Sequence, residues 1–274
     1  MSKPYILALK PIEIPETQRK RVAWWKFDEL EGDVMSDSSG NDHLGTLVGG
    51  PQWQPGGGKV GGALAFDGVD DYTDCGFHED LNLTRAVSVS AWIKLAGPAE
   101  DQKIVGNQDN LSGGYKIGVY DNKLELEIRD SSNLFTNNRF VEGGTVLEPG
   151  VWYHVVGTYC QGGSIKVYVN AKLDRKIVTP NILAPSAGTL KIGREPFSDL
   201  FWFNGLMDDL QIYNYPLAEA EIASLYSGEA PMAAVDEFDI SSGGNRRNWT
   251  VISVIFAVSA AAVGIAVLKV TKVL

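Results

Sequence analysis

The sequence predicts an all-β protein, an antiparallel two-sheet jelly-roll sandwich with a single C-terminal transmembrane helix. Two features of the 274 residues predict the sandwich. Short segments alternate apolar and polar side chains with a period of two, and clusters of Gly, Asn, Asp and Pro separate these segments as turns. A third feature, one long uncharged apolar run near the C-terminus, predicts the helix.

Residues 123–129 show the clearest alternation, with apolar side chains on one face and charged side chains on the other. Residues 87–93 and 164–169 alternate in the same way, and residues 152–159 and 206–213 are further predicted strands. Successive side chains of a strand point to opposite faces of its sheet. We therefore expect each strand to bury one face, and the charged face of residues 123–129 to lie in water.

One short helix is predicted over residues 217–226. Pro216 precedes it, where the missing N–H of proline removes no helical hydrogen bond. Gly228 follows it, and glycine is the residue that most often ends a helix.

Charge and composition exclude several classes of protein. The formal net charge of -10 opposes binding to a phosphate backbone, so no nucleic-acid partner is expected. Two cysteines, Cys75 and Cys160, do not make a disulfide framework, and free thiols are expected ahead of a bridge. The histidines His43, His78 and His154 are too scattered along the chain to predict a zinc cluster.

Residues 1–20 read as an extended N-terminal arm. Pro4, Pro11 and Pro15 interrupt it, and its apolar stretch is too short for a secretory signal. An arm of this kind can contact a partner in an assembly.

Residues 229–248 are predicted to be a flexible linker because they are acidic, then rich in serine and glycine. Residues 249–268 contain no charged side chain, and a helix of that length rises about 30 Å, the thickness of a bilayer core. We therefore predict a single-pass C-terminal anchor in membrane lipid, followed by a short tail, residues 269–274. The alternative is a buried helix of a soluble core.

The membrane side stays open, because two basic residues flank each end of the predicted span. A cell surface and a virion are both compatible with this pattern.

Several motifs between residues 21 and 228 resemble one known family when they are taken in order. They are VAWWKFDE (22–29), DSSGN (37–41), LAFDGVDDY (64–72), WYHVVGTY (152–159) and FNGLMDDLQIY (203–213). Together they resemble the laminin-G-like jelly roll of the concanavalin A-like lectin/glucanase superfamily. The resemblance implies a sandwich of two sheets and a binding function, and it does not cover the arm, the linker or the apolar run.

A structural calcium site is predicted from two places in the sequence. The loop of residues 37–43 offers oxygen atoms at alternate positions, as calcium requires. Asp208 falls on the core face of its strand by period-two counting, beside Leu206 and Leu210, where an unpaired carboxylate is costly. In the resembled family these two places form the halves of one site. The predicted ligands are Asp37, Ser39, Gly40, Asn41, His43 and Asp208.

The alternative for these residues is that Asp37 and Asn41 make turn hydrogen bonds and that Asp208 accepts from a backbone amide. The cluster Asp67, Asp70, Asp71 and Asp74 is interpreted mainly as turn formers, with a second metal site as the minority interpretation.

The glucanases of the resembled superfamily carry a Glu-x-Asp-x-x-Glu strand motif, and Glu125, Glu127 and Asp130 have nearly that spacing. Asp130 falls on the opposite strand face from the two glutamates, and Arg129 can pair with either of them. No catalysis is therefore expected, with a glycoside hydrolase as the alternative.

A binding module for a carbohydrate or protein ligand remains the main prediction, because aromatic faces with a few polar groups bind sugars. A structural protein of a membrane-bearing assembly, such as a virion or surface layer, is the alternative. The candidate ligand-binding residues are Trp92, Tyr115, Tyr120 and Trp202, and core packing is the competing interpretation of each.

Overall fold

A computed structural model describes residues 10–130, 138–179 and 182–228. All of the described residues lie in one compact unit. The predicted linker, transmembrane helix and tail lie outside the described residues, as does the first part of the arm. Within the described ranges, no helix has both the length and the apolar character needed to cross a membrane.

The described residues form sixteen strands, one α-helix and two short 3-10 helices, Glu16–Gln18 and Glu79–Leu81. The strands and the helix are β1 (Arg21–Trp25), β2 (Val34–Met35), β3 (Gly45–Val48), β4 (Gln52–Gln54), β5 (Ala63–Asp67), β6 (Tyr72–Asp74), β7 (Ala86–Leu95), β8 (Asp101–Gly106), β9 (Gly114–Tyr120), β10 (Lys123–Arg129), β11 (Asn138–Glu142), β12 (Tyr153–Cys160), β13 (Ser164–Val169), β14 (Lys172–Val178), β15 (Lys191–Ile192), β16 (Asn204–Tyr213) and α1 (Glu219–Ser227).

These strands build two eight-stranded sheets. The first sheet has the order β14-β13-β12-β7-β16-β5-β4, with β1 also paired to β16. The second has the order β11-β10-β9-β8-β15-β6-β3-β2. Neighbouring strands in the described ranges pair antiparallel throughout. The predicted antiparallel sandwich is therefore confirmed.

The core lies between the two sheets and is built by the predicted alternation. In β10 the side chains of Leu124, Leu126 and Ile128 are fully buried, and Val87 and Val89 of β7 bury from the other sheet. Because both sheets send every second side chain inward, one continuous apolar layer forms between them.

A bulge in β16 changes which side chains reach this core. The pairing of β16 with β7 shifts between Asp208 and Gln211, and Asp209 has a φ of 50°. Before the bulge Met207 faces the core, and after it Leu210 does. The placement of Asp208 on the core face was therefore wrong, because period-two counting fails across an inserted residue. Asp208 lies opposite Trp92 on the outer face of the first sheet.

The predicted helix is confirmed as α1, which packs on the outer face of the first sheet. The side chain of Glu221 accepts a hydrogen bond from the amide of Ala218 at 2.7 Å, which satisfies a donor at the helix start. Ile222 is fully buried beside Tyr213. Gly228 ends the helix with a φ of 71°, a conformation that glycine adopts without strain.

The described part of the predicted arm, residues 10–20, contacts the sandwich. The amide of Ile12 donates to the carbonyl of Gln161 at 3.0 Å, and Ile14 is buried. The amide of Lys20 donates to the side chain of Asn214 at 2.8 Å. These residues therefore belong to the folded domain.

Both cysteines are buried free thiols, as the sequence favoured. Cys75 lies in the core, and Cys160 lies beside the carbonyl of Ile12 at 3.5 Å.

Replacing Trp25 by phenylalanine is expected to destabilise the domain. The Trp25 ring is fully buried, and its Nε1 donates to the carbonyl of His43 at 2.7 Å. The substitution leaves a cavity and an unpaired buried carbonyl, so we expect a loss of about 2–4 kcal/mol in the free energy of unfolding, measured by urea denaturation. Trp53→Phe is the matched control, because Trp53 makes the same kind of bond to Gly32 from a partly exposed position. An equal loss of unfolding free energy in both variants would show that burial of the Trp25 ring and its bond does not set the cost.

Candidate functional site

The outer face of the second sheet carries rows of charged side chains. Pairing of β10 with β9 places Glu127 opposite Lys116 and Glu125 opposite Gly118. Pairing of β9 with β8 places Lys103 opposite the same glycine. Alternation therefore collects acidic and basic side chains from three neighbouring strands on one surface.

These charges are buried and paired. The Nζ atom of Lys116 lies 3.0 Å from both carboxylate oxygens of Glu195 and 3.4 Å from Glu127. Lys103 bonds to Asp101 and lies 3.7 Å from Glu125. The prediction that this face of β10 lies in water was wrong, since only 8% of Glu127 is exposed. Buried charges of this kind persist because each has an opposite partner.

A connection between β15 and β16 covers these ion pairs. Residues 194–202, which we name the crossing segment, leave β15 and return to β8, where the amide of Lys103 donates to the carbonyl of Phe201 at 2.9 Å. Glu195 lies in this segment and is 1% exposed. The Lys116–Glu195 pair therefore fixes the crossing segment to the sheet.

Aromatic rings of the crossing segment lie over the cations of the sheet. The Phe197 ring centre is 5.5 Å from the Lys116 ammonium, and the Phe201 ring centre is 5.4 Å from that of Lys103. Trp202 packs against Tyr72 with their ring centres 5.9 Å apart. Attraction between a cation and a ring face holds each ring in place on the sheet.

The backbone at Phe201 is held in an unfavourable conformation. Its φ is 57°, in the left-handed region that bulky side chains rarely adopt. The hydrogen bond from Lys103 and the ring contact hold it there, so the ring position is defined by the surrounding structure.

Four aromatic side chains on this surface stay exposed, and we name them the aromatic face. They come from β9, β11 and the crossing segment, and their exposed fractions are 46%, 54%, 39% and 40% for Tyr120, Phe140, Phe197 and Phe201. A groove of about 440 Å³ lies between Tyr120 and Phe201. Acidic side chains complete its wall: Glu100, Asp101 and Asp121.

Burial shifts the titration of the carboxylates beneath the aromatic face. Burial raises the pKa of Glu125 and of Glu195, and the neighbouring ammonium groups of Lys103 and Lys116 oppose that rise without cancelling it. The charge of each glutamate therefore depends on its lysine partner.

The structure separates the four predicted ligand-binding residues. Tyr120 and the half-buried Trp202 lie on this outer surface. Tyr115 does not, because it is fully buried and its hydroxyl donates to the carbonyl of Leu81 at 3.2 Å. Trp92, in β7 of the first sheet, is also buried. Its ring stacks under that of Tyr226 of α1, with the ring centres 5.5 Å apart. For Tyr115 and Trp92 the competing interpretation, packing, is the observed one.

Two members of the aromatic face, Phe140 and Phe197, had no signal in the sequence. Phe140 becomes part of it because it pairs opposite Glu127 in the sheet. Phe197 follows Pro196 in an irregular segment, where no periodicity assigns it to a face.

The loop half of the predicted calcium site is closed by hydrogen bonds. The carboxylate of Asp37 accepts from the amide of Trp24 at 2.9 Å, from the amide and hydroxyl of Ser39, and from the amide of His43. Burial alone would raise the pKa of Asp37, but these hydrogen bonds outweigh it and lower the pKa. Asn41 donates to the carbonyl of Val22 at 2.7 Å.

The other half of the predicted site, Asp208, is held by a different loop. Its Oδ2 accepts from the amide of Val60 at 2.7 Å, and burial raises its pKa to about 7. Among the described residues, Asp37 and Asp208 accept their hydrogen bonds from different donors. Calcium remains a prediction, which melting curves with added calcium and with a chelator test.

The second acidic cluster has the geometry of a turn. Asp67 accepts from the amide of Val69 at 2.8 Å, and Asp71 accepts from the amide of Asp67 at 2.9 Å. These bonds match the main interpretation of the cluster, although carboxylate oxygens of Asp67, Asp70 and Asp71 lie within 4.8 Å of one another.

A row of buried polar side chains crosses the outer face of the first sheet. Strand pairing places His154, Trp92 and Asp208 side by side. In the described part of the chain, one polar atom of each has no hydrogen-bond partner, namely Nδ1, Nε1 and Oδ1. His154 is 2% exposed, and burial lowers its pKa to about 4.

The buried His154 is expected to make the domain sensitive to acid. The unfolded chain protonates this histidine near pH 6.5 and the folded chain only near pH 4, so stability is present above pH 6.5 and is lost as the pH falls between these values. The loss is about 3 kcal/mol. The free energy of unfolding is measured by urea denaturation at pH values from 7.5 to 4. In the variant His154→Gln, whose amide can still bond to Ser90, this free energy is expected to depend less steeply on pH. An unchanged slope would show that His154 does not cause it.

The carboxylates that resemble a glucanase motif do not converge. Glu125 and Glu127 bond to lysines on the outer face of the sheet. Burial and, to a smaller extent, the negative charge of Asp130 raise the pKa of Tyr159, whose side chain lies in the core. The opposite placement of Asp130 that the sequence predicted is therefore consistent with the structure.

Comparison with known proteins supports the fold. A family model described as the concanavalin A-like lectin/glucanases superfamily matches residues 67–223, more than half of the chain. None of the curated proteins compared with the chain is similar to it in sequence.

Several solved structures are similar to the domain. Domain 4 of AbnA, an extracellular arabinanase from Geobacillus stearothermophilus solved with arabinotriose, is 21% identical, with a TM-score of 0.60, covering 76% of this chain and 98% of that one. The binding domain of Paraclostridial Mosquitocidal Protein 1 is 19% identical, with a TM-score of 0.61, covering 76% and 52%. The botulinum neurotoxin DC binding domain with rat synaptotagmin II is 16% identical, with a TM-score of 0.57, covering 76% and 51%. This chain spans about half the length of the two toxin domains.

Proposed function

Because the chain belongs to the concanavalin A-like lectin/glucanase superfamily, we propose that its sandwich is a non-catalytic module that binds carbohydrate through the aromatic face. One observation carries the proposal. Exposed rings of Tyr120 and Phe201 flank a groove whose other walls are carboxylates. Sugar rings stack their C–H faces on aromatic rings and donate their hydroxyls to carboxylates, and this groove offers both kinds of contact.

The groove is preorganised for a ligand. Phe201 is fixed by its contact with Lys103, and Asp101 is held by the same lysine. A rigid platform loses little conformational entropy when a ligand binds, which favours affinity. The arabinotriose bound by the similar arabinanase domain is consistent with a carbohydrate ligand.

The absence of catalysis is part of the proposal and follows from how the glutamates are engaged. Glycosidases need one protonated and one ionised carboxyl group across the scissile bond. Here Glu127 and Glu195 share the ammonium of Lys116 beneath the crossing segment, where a glycosidic bond has no access. A glycoside hydrolase is therefore the less favoured function.

A protein ligand is the second candidate. Leu200 and Phe197 of the crossing segment are 54% and 39% exposed, and apolar side chains exposed on one segment are what a protein partner would cover. The botulinum neurotoxin binding domain, which is solved with synaptotagmin, supports this alternative.

We further propose that residues 249–268 anchor this module in membrane lipid. The length and uncharged composition of that run support the anchor. The same arrangement suits a structural protein of a membrane-bearing assembly, in which the part of the arm before residue 10 would contact a neighbour.

Binding to a glycan array by the full-length chain tests the carbohydrate proposal. We expect retention of one class of glycan, and about tenfold weaker binding by Phe201→Ala and by Tyr120→Ala, since a stacked ring contributes about 1.5 kcal/mol. Phe77→Ala is the matched control, because Phe77 is 52% exposed and lies outside the groove.

Retained affinity in both groove variants, or an equal loss in the control, would contradict the aromatic face as the site. Release of sugar from a bound glycan, abolished by Glu125→Gln, would contradict the non-catalytic assignment.

A further inference from the structure

The fold brings together two histidines that are far apart in the sequence. His43 lies in the loop between β2 and β3, and His78 and Asp80 follow β6. Because β3 pairs with β6, these loops are neighbours. The two imidazole rings lie edge to face with centres 4.5 Å apart. One ligand atom from each of the three residues lies within 4.8 Å of the other two.

The hydrogen bonds of His43 leave its Nε2 atom facing an acceptor. Its Nδ1 lies 3.1 Å from the carbonyl of Val22 and 3.3 Å from the buried carboxylate of Asp37, so Nδ1 carries a hydrogen. In a neutral imidazole the other nitrogen then has a lone pair. That nitrogen lies 2.9 Å from Oδ1 of Asp80. Two acceptors at this distance need a hydrogen or a metal ion between them.

His78 supplies a second nitrogen beside this pair. It is half-buried, and in the described part of the chain neither of its ring nitrogens makes a hydrogen bond to another residue. A hydrogen between His43 and Asp80 would satisfy those two groups alone and would leave both ring nitrogens of His78 without a hydrogen-bond partner among the described residues. A metal ion uses all three groups.

We propose that His43, His78 and Asp80 bind a divalent transition-metal ion, for which zinc is the best match. Imidazole nitrogen with one carboxylate is a donor set that zinc favours, whereas calcium requires six to eight oxygen atoms. Ligand atoms of a tetrahedral zinc lie about 3.3 Å apart. The side chain of Asp80 is 55% exposed and can adjust to that spacing.

The surroundings of His43 are those of a metal ligand. Metal-binding histidines usually donate their other N–H to a carbonyl or carboxylate, which fixes the ring and its tautomer. Val22 and Asp37 make these contacts from the buried side. The Asp37 loop, which the sequence assigned to calcium, thus positions the histidine ligand.

Three protein ligands leave a fourth position for water or for a group of another molecule. Asp80 lines a groove of about 550 Å³, together with Asn41 and Glu79, so solvent reaches this carboxylate. The ion would join the β2–β3 loop to the segment after β6, and a metal that binds only the folded chain stabilises it. The proposed ligands share no residue with the aromatic face.

Zinc binding by the full-length chain, after dialysis against a chelator, tests the proposal. Titration calorimetry is expected to show one zinc per chain with a dissociation constant in the micromolar range or tighter, and zinc is expected to raise the melting temperature. His78→Asn and Asp80→Asn are each expected to weaken binding at least tenfold. Neither side chain is fully buried, so both variants are expected to fold, which circular dichroism checks.

His154→Gln is the matched control, since that histidine lies in β12 of the other sheet and is expected to leave zinc affinity unchanged. Cobalt substitution is expected to give a visible absorption band that His78→Asn alters. Absence of zinc binding, calcium binding at the same site with higher affinity, or zinc affinity that survives the double variant His78→Asn, Asp80→Asn would each overturn the proposal.

Discussion

The ion pair between Lys116 and Glu195 is the interaction on which the outer face of the second sheet depends. Both groups are almost fully buried, and a buried charge without a partner would cost several kcal/mol. Lys116 stands on β9 and Glu195 on the crossing segment, so neutralising the two charges also attaches that segment to the sheet. The exposed rings of Phe197 and Phe201 are positioned as a consequence.

The outer faces of the two sheets are covered in different ways. The first covers part of its outer face with α1, whose Ile222 and Tyr226 lie over apolar and aromatic side chains. In the part of the chain that the structure describes, no α-helix packs on the second sheet, whose outer face has paired charges with aromatic rings above them. A charged layer under rings keeps apolar groups exposed at the surface, because the rings are held from below. That difference places the proposed ligand surface on the second sheet.

The Asp37 loop shows how one cluster can satisfy several requirements. Its carboxylate accepts four hydrogen bonds from nearby backbone and hydroxyl donors, which shapes the turn. The same carboxylate lies beside Nδ1 of His43 and helps to fix the tautomer of that ring. Oxygen-rich loops therefore need not hold a metal through their oxygens. Here the carboxylate of Asp37 orients the ring of His43, whose Nε2 faces Asp80 in the segment after β6.

The sequence by itself determined the sandwich, because alternation along each strand is a local property. Leu124, Leu126 and Ile128 lie on one face wherever the strand is placed, and Pro216 and Gly228 bound α1 through their own backbone preferences. Period-two counting gave the wrong face for Asp208, because a bulge that no local sequence pattern predicts places this side chain on the outer face.

Only the tertiary structure decided which charges are buried and which histidines meet. Lys116 and Glu195 are 79 positions apart, and His43 and Asp80 are 37 apart. Contacts over such separations depend on the order of strands in the sheets, which residue spacing along the chain does not encode.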